Sequence, residues 1–335
     1  MFLAILILIL RLKFFACDTQ CPNVITPNEN RSNSKNLKIM QFNVEWLFLD
    51  YNKNSDCPGD GCTWKNETIA NTHLQYISNI INKFNPDIVN LCEVEWCDEL
   101  EKLIKNTSDD YNPYLIQGTD TSTGQNVGML TKVDPVDNLY RSDDTYKYPI
   151  ENSKCNYNGT GSVGVSKHYV SLFNWNNIDV AFISLHLLAY PTDPERCSKR
   201  EAQAKIIENL ISEYVEKQYE IFVIGDFNDY DNDIMDLNND KPISQVLDII
   251  KGKHNDIYNL TNIVYKVPQK YRFTNWWDKN NDCNSTMDEF VLIDHILVSE
   301  ILLSKIKDVN IYQEYDEYCD RLNSDHYPII IDIEL

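Results

Sequence analysis

Glycine is scarce in this chain, which has 10 glycines in 335 residues, and no glycine-rich stretch follows a strand-like apolar run. P-loop and dinucleotide-binding folds need such a stretch, because closely spaced glycines let backbone amides approach a phosphate. The sequence therefore argues against both of these nucleotide-binding classes.

Basic residues are also in short supply. The chain has 30 lysines and arginines against 51 aspartates and glutamates, and its net charge at pH 7 is -21. An acidic surface repels polyanions, which argues against a module that only binds nucleic acid. It does not exclude an enzyme that cleaves nucleic acid, because divalent cations in an acidic cleft can reverse the local charge.

A long hydrophobic run is missing as well. The apolar stretch at residues 2–10 is too short to cross a bilayer and suits the hydrophobic part of a signal sequence, although Arg11 and Lys13 follow it instead of preceding it. We expect residues 1–16 to be a signal peptide or a signal anchor, and residues 17–36 to be a polar linker. The protein would then be secreted, or membrane-anchored in the secretory pathway if the segment is not cleaved. Residues 37–335 show no composition break or internal repeat and are expected to form one domain.

The ten cysteines show no C-x-x-C pair or other zinc-ligand spacing, so disulfides are the better interpretation. The expected pairs are Cys57–Cys62, Cys155–Cys197 and Cys283–Cys319, although the sequence alone cannot fix the pairing. Cys92 is expected either to pair with Cys97 or to be a buried thiol. Sequons for N-glycosylation, which an asparagine-rich chain also produces by chance, occur at Asn30, Asn66, Asn106, Asn158, Asn259 and Asn284.

Short β-rich runs and helical periodicity are interleaved from residue 37 onward. Strands are expected at residues 37–44, 87–91, 127–131, 168–173, 178–185, 221–224, 293–298 and 327–333. Helices are expected around residues 74–84 and 204–214, the second with Ser198 as N-cap and Glu201 completing a capping box. A third short helix should start near Pro242 and end by Gly252. The irregular order of elements predicts an α/β sandwich with mixed sheets.

Polar motifs stand at the ends of these apolar runs. They are Gln41-Phe42-Asn43-Val44-Glu45, Leu91-Cys92-Glu93-Val94, Ser184-Leu185-His186-Leu187, Gly225-Asp226-Phe227-Asn228, Leu292-Ile293-Asp294-His295 and Ser324-Asp325-His326. Together they supply carboxylates, amides and imidazoles, the groups that a metal-assisted phosphoester hydrolase requires.

The spacing within the motifs suggests how these groups converge. Asn43 and Glu45 lie two residues apart on one strand and so point the same way. Asp226 and Asn228 repeat that spacing after a glycine that lets the chain turn. Asp294 lies in a strongly apolar segment, where an unpaired carboxylate would be costly, so we expect it to have a cation or an imidazole as partner.

The order of these motifs resembles the endonuclease/exonuclease/phosphatase superfamily, which includes deoxyribonuclease-I-type nucleases, abasic-site endonucleases, neutral sphingomyelinases and inositol-polyphosphate phosphatases. The resemblance covers about residues 37–335, and its most specific parts are Gly225-Asp226-Phe227-Asn228 and Ser324-Asp325-His326. It implies a four-layer α/β sandwich, with two central mixed β-sheets flanked by helices and the active site at one end.

The resemblance also implies roles for individual residues. Glu93 would be the main Mg2+ ligand, with Asn43, Glu45 and Asp325 assisting it, and Mn2+ or Ca2+ are alternative ions. The catalytic set would be Asp226 for the attacking water, Asn228 and His186 for the phosphate or leaving group, and His326 for the scissile phosphate, oriented by Asp294. Two departures stand out: Cys92 replaces the common glutamine before Glu93, and His295 replaces the usual tyrosine after Asp294.

Two further residues are candidates for substrate contact on residue type and position. His168 lies in the strand-like run at residues 168–173, and Arg272 precedes Phe273 and the pair Trp276-Trp277. A guanidinium beside aromatic rings can bind a phosphate while a ring stacks on the substrate. The alternative is that each residue only packs in the fold.

We therefore predict an exported Mg2+-dependent phosphodiester hydrolase, first of all a nuclease acting on DNA or RNA. The alternatives are a sphingomyelinase-type phospholipid phosphodiesterase or a phosphatase, and, third, a non-catalytic binding domain. A sphingomyelinase should expose an apolar hairpin for membrane contact, and the sequence does not reveal one. No obligate protein partner is indicated, and a monomer is expected.

Overall fold

The computed structural model describes residues 20–21, 35–49, 64, 66–107, 110–315 and 322–335. The predicted signal segment at residues 1–16 and most of the linker at residues 17–36 lie outside these residues. Among the described residues, no helix is both long enough and apolar enough to span a membrane.

Strands and helices follow one another in a mixed order. The strands are β1 Gln20–Cys21, β2 Asn36–Leu47, β3 Ile88–Val94, β4 Asn112–Ile116, β5 Asn126–Thr131, β6 Thr145–Tyr148, β7 Gly161–Gly164, β8 Lys167–Trp175, β9 Ile178–His186, β10 Glu220–Asp226, β11 Thr261–Asn262, β12 Asn275–Trp276, β13 Phe290–Val291, β14 Asp294–Val298, β15 Ile306–Ile311 and β16 Ile329–Glu334. The helices are α1 Glu67–Phe84, α2 Cys97–Lys105, α3 Pro194–Glu216, α4 Val246–Ile250 and α5 Glu300–Leu303, with 3-10 turns at Ile263–Lys266, Gln269–Tyr271 and Met287–Glu289.

Two mixed sheets form the centre of the molecule. One has seven strands in the order β1-β4-β5-β3-β2-β16-β15, and the other has five in the order β11-β14-β10-β9-β8. The faces of the two sheets bury a common apolar core, in which the rings of Phe182 and Phe222 stack with centroids 5.3 Å apart. A second core joins the seven-stranded sheet to α1 and α2, and a third joins the five-stranded sheet to α3 and α4. The predicted four-layer α/β sandwich is therefore confirmed.

Alternation along the central strands decides which side chains reach the space between the sheets. On β9, Ile183 and Leu185 pack toward the helices, whereas Val180 and Phe182 pack toward the other sheet. The same period places Ser184 and His186 on the inter-sheet side, beyond the apolar core. The polar ends of the strands thus share one end of the inter-sheet layer.

The prediction for the start of the longest helix was wrong. The N-cap of α3 is Asp193, whose carboxylate accepts the Arg196 amide at 2.7 Å, and Pro194 takes the first helical position. Ser198 is buried inside the helix. The start was placed too late because it was inferred from apolar periodicity, which the polar first turn lacks. The third helix is shorter than expected, Val246–Ile250, and Gly252 follows it with a φ of +77°.

The cysteines bear out the disulfide interpretation in part. Cys155 pairs with Cys197 as predicted, but Cys97 pairs with Cys21. Cys92 is therefore the buried free thiol that was the alternative expectation. Cys57, Cys62 and Cys319 lie outside the described residues, so the other two predicted pairs stay predictions.

Candidate active site

The strand ends that carry the polar motifs meet because of the direction of the strands. β2 runs parallel to β3, with Asn43 opposite Cys92, and β9 runs parallel to β10, with His186 opposite Asp226. β14 is antiparallel to β10, so its first residue, Asp294, is also opposite Asp226. One polar cluster therefore forms where β2 and β3 of the larger sheet end, next to the ends of β9 and β10 and the start of β14 in the smaller sheet.

Both acid-bearing strands of the larger sheet are irregular at the cluster. The register of β2 against β3 shifts between Asn43 and Leu47, and that of β3 against β5 shifts between Cys92 and Val94. Glu45, with φ +47°, and Glu93, with φ +67°, adopt left-handed backbone there. Such bulges redirect side chains at the cost of strain, which structures retain mostly at functional sites.

Asn43 links the two sheets at the centre of the cluster. Its Nδ2 donates to Glu93 Oε1 at 3.2 Å and to Asp226 Oδ2 at 3.1 Å, while its Oδ1 accepts the backbone amide of Glu45 at 3.1 Å. The amide therefore acts here as a bridge between two carboxylates. Its predicted role as a metal ligand stays a prediction.

Glu93 is held by donors that the sequence did not reveal. Its Oε2 accepts the Trp46 amide at 3.1 Å and Gln125 Nε2 at 2.7 Å. Gln125 in turn accepts from Lys167 Nζ at 3.3 Å, and this lysine also pairs with Asp120. Burial and then the charge of Asp325 raise the pKa of Glu93, whereas Lys167 opposes the rise. Lys167 is opposite His186 in the register of β8 and β9, and only that register places it at the site.

His326 and Asp294 form the expected pair. His326 Nδ1 lies 2.7 Å from Asp294 Oδ2, so the N–H of this nitrogen donates a hydrogen bond to the carboxylate. Burial lowers the pKa of His326, but Asp294 and Asp325 outweigh it and hold the pKa well above its usual range. The ring is therefore an imidazolium at neutral pH, and its Nε2 lies 3.8 Å from Asp226 Oδ2.

The other oxygen of Asp294 accepts from a buried chain of amides. Gln41 Nε2 donates to Asp294 Oδ1 at 3.1 Å, Asn90 Nδ2 donates to Gln41 Oε1 at 2.6 Å, and the Tyr169 hydroxyl donates to Asn90 Oδ1 at 2.6 Å. Every donor in this chain points toward Asp294. The chain thus supports a carboxylate that accepts hydrogen bonds and orients His326.

Asp226 is positioned by two donors. Its Oδ1 accepts the backbone amide of Asn228 at 2.8 Å, and its Oδ2 accepts Asn43 Nδ2. Burial, with a further contribution from Asp294, raises the pKa of Asp226 to about 7. Asn228 has a φ of +50°, and its Nδ2 donates to the Leu187 carbonyl at 3.2 Å, so its amide nitrogen orients the loop after β9.

His186 faces the same carboxylates without bonding to them. Its Nε2 lies 3.6 Å from Asp226 Oδ2 and 3.9 Å from Glu93 Oε1, and its Nδ1 has no hydrogen-bond partner among the described residues. Burial, and then the charges of Lys167 and His326, lower the pKa of His186 well below its usual range. A neutral imidazole that carries its proton on Nε2, the nitrogen that faces these carboxylates, can donate to an incoming oxygen atom.

Two more predicted acids lie at the edge of the cluster. Glu45 Oε2 accepts the backbone amide of Asp325 at 2.8 Å, which ties the loop before β16 to the end of β2. Asp325 Oδ1 lies 3.9 Å from His326 Nε2, and about a third of its side chain is exposed, 35%. The cluster therefore opens to solvent on the side of Asp325.

The two predicted substrate contacts are not supported. His168 is 1% exposed; its Nδ1 donates to the Val165 carbonyl at 2.8 Å and its Nε2 accepts the Ser142 amide at 3.0 Å, which leaves neither nitrogen for a substrate. Arg272 donates from Nε, Nη1 and Nη2 to three backbone carbonyls, those of Val267, Met235 and Tyr265. Its guanidinium stabilises irregular backbone, a role that residue type and neighbours do not distinguish from phosphate binding.

The donor set suits a divalent cation. Glu45, Glu93, Asp226 and Asp325 bring carboxylates to the same end of the inter-sheet layer, where burial and then the charge of Asp325 raise the pKa of Glu93. Hard cations such as Mg2+ prefer carboxylate oxygens. Asp226, Asp294 and His326 also lie within 4.8 Å of one another, but Asp294 and His326 already satisfy each other. Glu93, on which the charge of Asp325 acts, is therefore the better candidate for holding a cation, and Glu45 is bonded to the Asp325 amide at the edge of the cluster.

The sequence profile of the Endonuclease/Exonuclease/phosphatase family matches residues 40–313. The chain belongs to this family. Members of the Endonuclease/Exonuclease/phosphatase family hydrolyse phosphoester bonds, and the cluster described above has acidic groups of the kind that hold their metals. No curated protein sequence matches the chain.

Solved structures share the fold at low sequence identity. A family protein from Leptotrichia buccalis is 16% identical, with a TM-score of 0.55, and the match covers 89% of this chain and 100% of that one. The 3' phosphatase NExo from Neisseria, bound to a product DNA hairpin, is 15% identical with a TM-score of 0.52, covering 89% and 100%. Truncated TDP2 from Caenorhabditis elegans is 15% identical with a TM-score of 0.51, covering 90% and 98%. These likenesses establish the fold of the family.

The buried position of His168 predicts an effect on stability at acid pH. Burial lowers its pKa from 6.5 to about 4, so the folded state disfavours its protonation. Its contribution to stability is complete above pH 6.5 and is lost as the pH falls toward 4, by about 3 kcal/mol. Urea titrations at several pH values measure this loss. Between pH 6.5 and 4 we expect the free energy of unfolding of the wild type to fall by about 3 kcal/mol more than that of His168→Gln, which has no imidazole to protonate. Equal slopes in the two proteins would contradict the assignment.

Proposed function

We propose that this protein is an exported, divalent-metal-dependent phosphodiester hydrolase that acts on nucleic acid. The observation that carries the proposal is the convergence of Glu93, Asp226 and the His326–Asp294 pair at one end of the inter-sheet layer. Family membership supplies the reaction class, and the geometry supplies a separate group for each task in the hydrolysis of a phosphodiester.

A metal would be held by Glu93, with Glu45 and Asp325 beside it. When bound, a divalent cation neutralises phosphate oxygens and stabilises the charge that develops on them. Asn43 keeps Glu93 and Asp226 at a fixed separation, because one amide nitrogen donates to both carboxylates.

Asp226 would take up the proton of the attacking water, and the two histidines would donate hydrogen bonds to the phosphate and to the leaving oxygen, which takes its own proton from solvent. Asp226, with a pKa of about 7, can accept the proton of an attacking water at neutral pH. His326, kept as an imidazolium by Asp294, can donate from Nε2 to a phosphate oxygen. The neutral His186 can donate a hydrogen bond to the leaving oxygen, since its Nε2 faces the same space.

Two observations support nucleic acid as the substrate. NExo, which shares the fold, was solved with a product DNA hairpin. The side chain of Lys167 lies at the site and can attract a phosphodiester, although the net charge of -21 gives no broad basic surface for a long duplex. A short or single-stranded substrate therefore suits the chain better than a long duplex.

One observation favours a phospholipid as second candidate. The loop between β12 and β13 exposes Trp277 and Met287, by 58% and 62%. Asn275, two residues before Trp277, donates to the Asp325 carbonyl at 3.2 Å, so this loop borders the site. Exposed apolar side chains beside a phosphodiesterase site are suited to contact with a membrane surface.

The central test is hydrolysis by the wild type and by Asp226→Asn. We expect Mg2+-supported, chelator-sensitive cleavage of DNA or RNA oligonucleotides, and a loss of roughly 100- to 10,000-fold in kcat in the variant, because an isosteric amide cannot accept the proton. The measurement is product formation by gel and mass spectrometry, with sphingomyelin in vesicles and a generic bis-phosphodiester as parallel substrates. Head-group release with intact oligonucleotides would favour the lipid candidate. Full activity in Asp226→Asn would remove this residue from the mechanism.

The metal assignment predicts a distinct result for Glu93→Gln. We expect the variant to need at least tenfold more Mg2+ or Mn2+ for half-maximal activity, since a carboxylate ligand is replaced by a neutral amide. The measurement is activity against metal concentration, together with calorimetric binding of the metal alone. Glu334→Gln, an exposed acid at the end of β16, is the matched control and should not change either curve. Unchanged metal binding in Glu93→Gln would place the ion elsewhere.

The proposal that the protein is exported is supported by its disulfides and by the exposure of its glycosylation sequons. The disulfides Cys21–Cys97 and Cys155–Cys197 are typical of oxidising compartments. All five sequon asparagines within the described residues are exposed: Asn66, Asn106, Asn158, Asn259 and Asn284. We expect the full chain, expressed in eukaryotic cells, to reach the medium with glycans that N-glycosidase removes, and Asn158→Gln to lose one glycan. Retention inside the cell without glycans would contradict export.

A further inference from the structure

Arg200 is a buried cation that does not touch the polar cluster. It lies on α3 with no exposed surface, and its Nε donates to Asp229 Oδ2 at 3.0 Å. Its Nη1 donates to the carbonyls of Leu188, Ala189 and Tyr190 at 3.1, 3.3 and 3.0 Å, and its Nη2 to that of Pro191 at 2.8 Å. One guanidinium therefore binds four consecutive carbonyls and one carboxylate.

The four carbonyls belong to the loop that leaves β9 directly after His186. This loop is irregular, and Tyr190 has a φ of +67°. The start of the loop is also tied to the next strand, because the Leu187 amide donates to the Asp226 carbonyl at 2.9 Å and Asn228 donates to the Leu187 carbonyl. The direction in which the chain leaves His186 thus depends on Arg200 on one side and on Asn228 on the other.

The carboxylate partner connects the other two strand ends. Asp229 follows Asn228, and its Oδ2 also accepts the Ser244 hydroxyl at 2.9 Å. Its backbone carbonyl accepts His295 Nε2 at 2.9 Å, and His295 follows Asp294. Asn262 donates to the other nitrogen of His295 at 3.0 Å, which fixes the proton on Nε2. Arg200, Asp229 and His295 therefore join the segments that carry His186, Asn228 and Asp294.

We infer that Arg200 is a positioning residue, which acts through Asp229 and the loop at residues 188–191 to hold His186 and Asn228 at the distances that catalysis needs. The inference rests on the proposed function for its kinetic consequence. The physical reason is geometric: a planar guanidinium holds five N–H groups in fixed directions, so that Nε reaches Asp229 while Nη1 and Nη2 reach the four loop carbonyls, at least two of which share an N–H of Nη1. An ammonium has only three N–H groups and cannot reproduce this arrangement. Misplacement of reacting groups by about 1 Å can cost on the order of 100-fold in rate.

The test compares Arg200→Lys with Leu210→Ala at a temperature below all unfolding midpoints. Leu210 packs in the core on the same helix and makes none of these hydrogen bonds, so its variant reports on destabilisation of α3 alone. We expect Arg200→Lys to lose 10- to 100-fold in kcat with KM changed by less than about threefold. Leu210→Ala should keep its kcat despite a lowered midpoint. Unchanged kcat in Arg200→Lys, or an equal loss in Leu210→Ala, would overturn the inference.

A second measurement separates this inference from the proposed function. The ring resonances of the six histidines can be followed by NMR in histidine-labelled protein without any substrate. We expect Arg200→Lys to shift the His186 resonances and to leave those of His254 unchanged, whereas Leu210→Ala should shift neither. Inactivity of the wild type on all substrates would refute the function alone, and an unmoved His186 would refute the positioning role. If Arg200→Lys does not fold, Ser244→Ala, which removes one contact to Asp229, should shift His186 in its place.

Discussion

Repulsion among carboxylates at one end of the inter-sheet layer is the constraint on which the site depends. Glu93, Asp226 and Asp294 are buried or nearly so, and Glu45 and Asp325 border them. In a medium of low dielectric, like charges that lie close together repel one another unless donors or cations offset them. Each carboxylate accordingly accepts from at least one defined donor, and two amides, Asn43 and Gln41, supply the donors that reach across strands.

The same constraint explains where the backbone is irregular. Regular strands would direct successive side chains to opposite faces, whereas the site needs several acids to converge. Left-handed residues at Glu45, Glu93 and Asn228 achieve this convergence. The apolar core between the sheets stabilises the fold against this strain, and it includes the stacked rings of Phe182 and Phe222 on the adjacent strands β9 and β10 of the five-stranded sheet.

The sequence revealed the residues that end apolar runs and missed those that depend on register. Glu93, Asp226 and Asp294 could be found because a carboxylate directly after or inside a buried strand has few structural uses. Lys167 and Gln125 could not, because nothing local shows that they face Glu93; the pairing of β8 with β9 and of β3 with β5 places them there.

Arginines illustrate the same limit. Arg272 stands among aromatic residues and was interpreted as a phosphate contact, yet its guanidinium binds three carbonyls. Arg200 lies in an ordinary helical pattern, yet it binds the loop after His186. A guanidinium has the same donors in both settings, and only the position of backbone carbonyls in space decides which acceptors it meets. The sequence therefore predicted the helices and strands more accurately than the roles of the arginine side chains.

The charge balance of the site bears on the order of binding. His326 provides positive charge, and that of Lys167 is offset by its partner Asp120, whereas Glu45, Glu93 and Asp325 are the acids around the position proposed for the metal. A phosphodiester approaching this cluster alone would meet net repulsion, in a protein whose total charge is already -21. On the proposed function, the cation has to be present before or together with the substrate, because it alone changes the sign of the local field. The acidic surface then selects against long polyanions, and affinity has to come from contacts close to the scissile phosphate.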